Sequence, residues 1–138
     1  MTARSADDLV ALARARIRRV EPGDLEQLRA NGALVVDIRP AAQRAAEGDL
    51  GFGVVVERNV LEWRFDLRGG HALAEVSGYD QPVVVVCSEG YASSLAAASL
   101  QDIGLVNATD LAGGFLAWAR AGLPSQPGTA PPAAGRAS

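Results

Sequence analysis

The chain has 138 residues, the size of one ordinary domain, and its hydrophobic (49%) and charged (21%) fractions exclude a wholly disordered chain. No apolar run approaches the roughly 20 residues of a bilayer span, and the first twenty residues carry Arg4, Asp7, Asp8, Arg14, Arg16, Arg18 and Arg19, so neither a membrane anchor nor a secretion leader is expected. A formal charge of −3 provides no basic field for nucleic acid, and the single cysteine, Cys87, excludes an internal disulfide and a cysteine-rich zinc site. A cytoplasmic protein with no metal, no cofactor, no nucleic-acid partner and no membrane partner is the expectation.

Residues 7–19 place Leu9, Leu12, Ala13 and Ile17 near helical spacing with arginines opposite, which predicts an amphipathic N-terminal helix. Pro22-Gly23 interrupts, Asp24 opens a second helix through Leu28, and Gly32 stops it. Residues 33–37 form a short β-branched run suited to a strand covered on both faces. Pro40 and Gly48 bracket a helix over residues 41–47, and residues 54–56 supply another short buried strand. In residues 57–82, Leu61, Trp63, Phe65 and Leu67 alternate as in a strand. Gly69, Gly70 and Gly78 break that regularity, which predicts loop with a helical turn or two.

Val83-Val84-Val85-Val86 predicts the central strand of a parallel sheet. Ser93 or Ser94 would cap a helix over residues 95–103, and a short strand near Asp110-Leu111 leads through Gly113-Gly114 into a helix over residues 115–121. Strands alternating with helices imply an α/β fold, a small parallel sheet of about five strands with helices on both faces. The organisation expected is an N-terminal helical extension over residues 1–19, one domain over residues 20–124, and a disordered tail over residues 125–138, where large apolar groups are scarce.

Ligands of open α/β sheets bind beyond the carboxyl ends of the strands, where Cys87 directly follows the valine run. The loop Ser88-Glu89-Gly90-Tyr91-Ala92-Ser93 turns into the next helix, so that several backbone N–H groups would face the sulfur and favour a thiolate. The competing reading is a small buried hydrophobe at a strand end. His71, in the least regular stretch with no motif partner, reads as an exposed loop residue, and Phe115, Leu116 and Trp118 read as core anchors.

Four segments together resemble the rhodanese-like domain family: Asp37-Ile38-Arg39; Glu47-Gly48-Asp49-Leu50; the loop from Cys87 to Ser93; and Gly113-Gly114-Phe115-Leu116-Ala117-Trp118 with Ala121-Gly122-Leu123-Pro124. The resemblance implies a rhodanese-like fold and a sulfurtransferase in which Cys87 takes a sulfane sulfur from thiosulfate or a persulfide. Cys87 would hold it as a persulfide stabilised by loop amides and pass it to a thiol or cyanide-like acceptor or to a partner protein. Loop residues Ser88, Glu89, Gly90, Tyr91, Ala92 and Ser93 would bind substrate. Arg58 is the candidate for its anionic part and Trp63 for an apolar wall, against the alternative of solvated arginines beside a core tryptophan. Asp37 and Arg39 are expected to fix the loops around the site.

Two features depart from the family pattern. Ala92 stands where a loop arginine is common, and Glu89 adds an acid that, at about 4 Å from the sulfur, would repel a thiolate by about 4 kcal/mol at an effective dielectric near 20. Asp49 stands where a histidine is common and is given no role. Thiosulfate activity would then be weak, and a catalytically weak module that binds a partner or senses redox state is the alternative. A phosphatase would need an arginine where Ser93 stands.

Overall fold

A computed structural model describes residues 2–128 of the chain. Among these residues, six helices and four strands follow in the order α1 (Ala6–Arg14), α2 (Leu25–Ala30), β1 (Leu34–Asp37), α3 (Ala41–Glu47), β2 (Val54–Val55), α4 (Leu61–Phe65), β3 (Val83–Val86), α5 (Ala92–Asp102), β4 (Ala108–Asp110) and α6 (Gly114–Arg120), with 3₁₀ turns ahead of α2 and α4. The strands form one all-parallel sheet in the order β2-β1-β3-β4. This is the α/β class the pattern predicts, with four strands rather than about five. Val20 adds only a single bridge to Leu111.

Side chains alternate across β1 and β3, so the valine run serves two cores. Val83 and Val85 join Val36, Leu61, Phe65, Ala97 and Leu100 beneath α4 and α5. Val84 and Val86 join Val35, Leu25, Leu111, Phe115 and Trp118 beneath α2 and α6. A strand flanked by packed helices on both faces has no solvated side, which is why all four valines are buried.

The N-terminal helix is shorter than its pattern predicts. Ser5 and Asp8 close a reciprocal capping box at its start, and Asp7 and Asp8 complement the helix dipole there. It ends at Arg14, and α1 packs on α5 of its own chain. Residues 16–20 leave helical geometry because tertiary partners claim them: Arg16 pairs with Asp102, the Arg18 carbonyl accepts from Thr109, Arg19 pairs with Asp110, and Val20 bridges Leu111. At the other end, within the segment expected to be a tail, Gln126 exchanges two backbone hydrogen bonds with Asp49, at 2.7 and 2.8 Å. Residues 129–138 lie outside the described residues. Among the described residues no helix is long and apolar enough to cross a membrane.

β1 connects to β2 on one side, and β3 lies on its other side. The chain therefore reverses direction across the sheet between β1 and β3, and a crevice opens at their carboxyl ends. Asp37-Ile38-Arg39 leaves β1 there and Cys87 leaves β3, with Asp37 and Val86 in register.

Candidate active site

Cys87 is 6% exposed, at the floor of a pocket of about 400 Å³. Ile38, Arg39, Pro40, Ala41 and Gln43 of the β1–α3 segment line it, together with Glu57, Arg58 and Asn59 after β2 and Ala92 at the start of α5. The Gly90 N–H donates to the Cys87 Sγ at 3.1 Å and the Ser93 N–H at 3.4 Å. Both donors come from the loop that the sequence singles out.

The loop holds this shape because its carbonyls are bound from outside. Phe115 N–H donates to the Cys87 carbonyl at 2.8 Å and Leu116 N–H to the Ser88 carbonyl at 3.1 Å, so the first turn of α6 takes the loop's acceptors. Such an approach needs the Gly113-Gly114 pair. Both have positive φ, and a Cβ on Gly114 would lie 2.5 Å from the Cys87 and Ser88 carbonyl oxygens. Gly90, at φ +87°, faces Gly113 just as closely, since a Cβ there would lie 2.7 Å from the Gly113 nitrogen.

Ser93 and Ser94 are buried inside α5 and do not cap it. The helix starts at Ala92, and both hydroxyls donate to Asp110 Oδ2 at 2.8 Å. Asp110, at the end of β4 with no exposed surface, also receives the Arg19 guanidinium at 2.9 and 3.1 Å. This buried carboxylate joins the loop, α5 and the N-terminal segment.

On the opposite side Arg39, 1% exposed, donates to Asp37 Oδ2 at 2.7 Å, to Glu47 Oε1 at 3.1 Å and to the Gly48 carbonyl at 2.9 Å, and it stacks over Phe115 at 4.2 Å. Burial alone would lower its pKa, but the hydrogen bonds and charges of Asp37 and Glu47 outweigh that and raise it. Asp37 accepts from the Arg39 side chain and the Arg39 backbone N–H. Glu47 Oε1 also lies 2.9 Å from the Ser88 hydroxyl, with Gln43 Oε1 at 3.1 Å, so Ser88 is tied to α3 and stands outside the pocket lining.

The expected site residues therefore divide. Cys87, Gly90, Ala92, Ser93, Arg39 and Arg58 meet at the pocket or at the sulfur. Glu89 and Tyr91 are exposed and lie outside the pocket lining. Trp63 forms no wall of this pocket and is 59% exposed. In α4 the core positions are Leu61 and Phe65, one helical turn apart, which turns Trp63 outward. Arg58 reaches the pocket paired with Glu62, both of whose carboxylate oxygens lie 2.9 Å from its Nη1. Burial of Glu62 would raise its pKa, but the Ser99 hydroxyl, its own backbone N–H and Arg58 together lower it. Sequence reasoning gave no site role to Gln43, Glu47, Asp110, Arg14 or Arg19. Of these, Asp110 at a strand's carboxyl end and Glu47 within a resembling segment carried a local signal. Among the described residues no cluster of His, Cys, Asp or Glu could hold a metal ion.

Comparison with known proteins agrees with this geometry. The rhodanese-like domain model matches residues 21–121. The thiosulfate sulfurtransferase GlpE of Ectopseudomonas mendocina is 34% identical over 109 residues, covering 79% of this chain and 90% of the relative. Among solved structures, a protein of unknown function and possible tyrosine phosphatase from Rhodopseudomonas palustris superposes with a TM-score of 0.82 at 28% identity, covering 91% of this chain and 97% of that one. A rhodanese homologue from Thermus thermophilus superposes with a TM-score of 0.52 at 32% identity, covering 71% and 96%. The chain belongs to the rhodanese-like domain family.

Proposed function

We propose that the protein is a sulfurtransferase that works through a Cys87 persulfide. The observation that carries this reading is the sulfur at the pocket floor with two loop N–H groups donating to it. The Cys87 thiolate attacks the sulfane sulfur of a donor. The bond from that sulfur to the rest of the donor breaks, and the leaving group departs with the electron pair, as sulfite from thiosulfate or as a thiolate from a persulfide. The new terminal sulfur carries the negative charge, and the amides that favoured the thiolate favour it as well. An acceptor nucleophile, a thiol or cyanide, then attacks that terminal sulfur and Cys87 leaves as thiolate, so no outside oxidant or reductant enters the cycle.

The charge balance at the pocket selects among donors. Arg39 is balanced by Asp37 and Glu47, Arg58 by Glu62, and Glu57 adds a further negative charge to the lining. With Ala92 at the mouth, this surface favours a persulfide of low negative charge, small or carried by a partner protein, over the thiosulfate dianion. Phosphatase chemistry is disfavoured, because the Cys87 loop holds no arginine to clamp a phosphate and Ser93 is committed to Asp110.

The test is thiocyanate release with cyanide as acceptor, comparing a low-molecular-weight persulfide with thiosulfate. Turnover with the persulfide that exceeds turnover with thiosulfate, and that is lost in Cys87→Ser, is the expected result. Equal turnover in Cys87→Ser overturns the assignment, and a clear thiosulfate preference overturns the choice of donor.

A further inference from the structure

The Gly90 carbonyl is the most heavily bound acceptor of the Cys87 loop, and its main donors come from outside the family-matched segment. Arg14 Nη2 donates to it at 2.7 Å and Arg19 Nη2 at 2.8 Å. Both arginines precede residue 21, where the rhodanese-like match begins. Arg14 is held in turn by its Nε donating to Ser94 Oγ at 3.1 Å and by lying 5.1 Å from the centre of the Tyr91 ring. Arg19 is held by Asp110.

We propose that Arg14 and Arg19 are positioning residues that hold the Gly90 carbonyl outward and so keep the loop amides turned onto the Cys87 sulfur. The inference rests on the reading of Cys87 as the reactive group. Its physical basis is the connection of two rigid planes: the Gly90 carbonyl lies in the planar 90–91 peptide, joined through the Gly90 Cα to the peptide whose N–H donates to the Cys87 sulfur, so anchoring the carbonyl limits how far the Gly90 N–H can turn away. Gly90 lacks a Cβ and has the freedom to rotate its peptides, and two charge-assisted bonds remove that freedom.

The two arginines differ in their partners. Arg19 is paired with the Asp110 carboxylate, whereas among the described residues Arg14 makes no ion pair and meets the loop through the Gly90 carbonyl, the Ser94 hydroxyl and the Tyr91 ring. That places a cation at the loop from a distant element, although Ala92 provides none within it. The N-terminal helix, packed on α5, is thereby part of the site's construction.

The test uses the full chain and iodoacetamide alkylation of Cys87, which reports thiolate exposure to reagent whether or not sulfur is transferred. Rates are compared at about pH 6 and about pH 9, because only a loop that favours the thiolate sustains alkylation at the lower value. Arg14→Ala is expected to lower the ratio of the two rates by about fivefold, the effect of losing one charge-assisted bond and a nearby cation, and Arg14→Lys to restore part of it. Arg16→Ala, in the same segment but with its side chain paired to exposed Asp102, is expected to leave the ratio at the wild-type value. Arg19→Lys is the second variant, since it keeps a cation for buried Asp110 while losing the two-pronged contact; its ratio is expected to fall as well.

A wild-type ratio in Arg14→Ala and Arg19→Lys overturns the proposal, as does an equal loss in Arg16→Ala. Failure of wild type to accept sulfur from any donor strikes the sulfurtransferase reading alone and leaves the alkylation result standing.

Discussion

Gly114→Ala is the sharpest probe of how α6 shapes the active loop. Gly114 sits at φ +65°, a region that costs a residue with a Cβ about 1–2 kcal/mol. Its added methyl would also lie 2.5 Å from the Cys87 and Ser88 carbonyl oxygens, which are backbone atoms and do not swing aside. The loop and the start of α6 must separate, loosening the Phe115 to Cys87 and Leu116 to Ser88 hydrogen bonds, each worth about 0.5–1.5 kcal/mol. Together these give a loss of about 2–5 kcal/mol, a large part of the roughly 5–15 kcal/mol that stabilises an ordinary domain. Gly122→Ala is the internal control, since Gly122 has φ +74° and an added methyl there would meet nothing within 4 Å, so it isolates the backbone cost. Urea unfolding of both variants gives the difference, and Cys87 alkylation gives the effect on the site. If Gly114→Ala costs no more than Gly122→Ala and alkylation is unchanged, the role assigned to the glycine pair is wrong.

Three further outcomes are expected. Asp37→Ala leaves the Arg39 guanidinium buried with only Glu47 and the Gly48 carbonyl, and should cost about 3–5 kcal/mol in urea unfolding; a loss below about 1 kcal/mol would mean that the pair contributes little. The Glu62 pKa lies below its ordinary value of 4.5, so in the window between the two the unfolded chain binds more protons. Its contribution to stability is present above 4.5 and is lost as pH falls through the folded-state value. The stability gap between wild type and Glu62→Gln should accordingly narrow on acidification, and a gap that stays constant would contradict the assignment. Ala92→Arg restores a cation at the pocket lining and should raise the thiosulfate rate about tenfold, by the arithmetic of one added charge-assisted contact; no gain would place the donor limit elsewhere.

The parts of this architecture that were legible in the sequence are those whose cause is local. The valine run, the helix between Pro40 and Gly48, and the loop after Cys87 each carry their signal within a few residues, and all three stand where the pattern puts them. What escaped depends on partners far apart in the chain. Asp110 meets Ser93 and Ser94 from 17 and 16 residues away and Arg19 from 91 residues away, so no window of sequence displays the cluster. The serines that look like helix caps are drawn to that carboxylate instead. Residues 16–19 continue an amphipathic pattern, yet the bonds of Arg16, Arg18 and Arg19 to Asp102, Thr109 and Asp110 draw them out of the helix. Trp63 was set at the pocket by the family resemblance and not by its own pattern; the helical turn over Leu61–Phe65 sends Leu61 and Phe65 inward and the residue between them outward.

The central claim is that Cys87 carries the transferred sulfur, and intact-protein mass spectrometry tests it most directly. Wild type and Cys87→Ser, with free thiol quantified beforehand, are exposed briefly to a low-molecular-weight persulfide or to thiosulfate and then to cyanide. Wild type alone is expected to gain the mass of one sulfur atom, more completely from the persulfide, and to return to its starting mass as thiocyanate appears. No gain from either donor, or the same gain in Cys87→Ser, would contradict the claim.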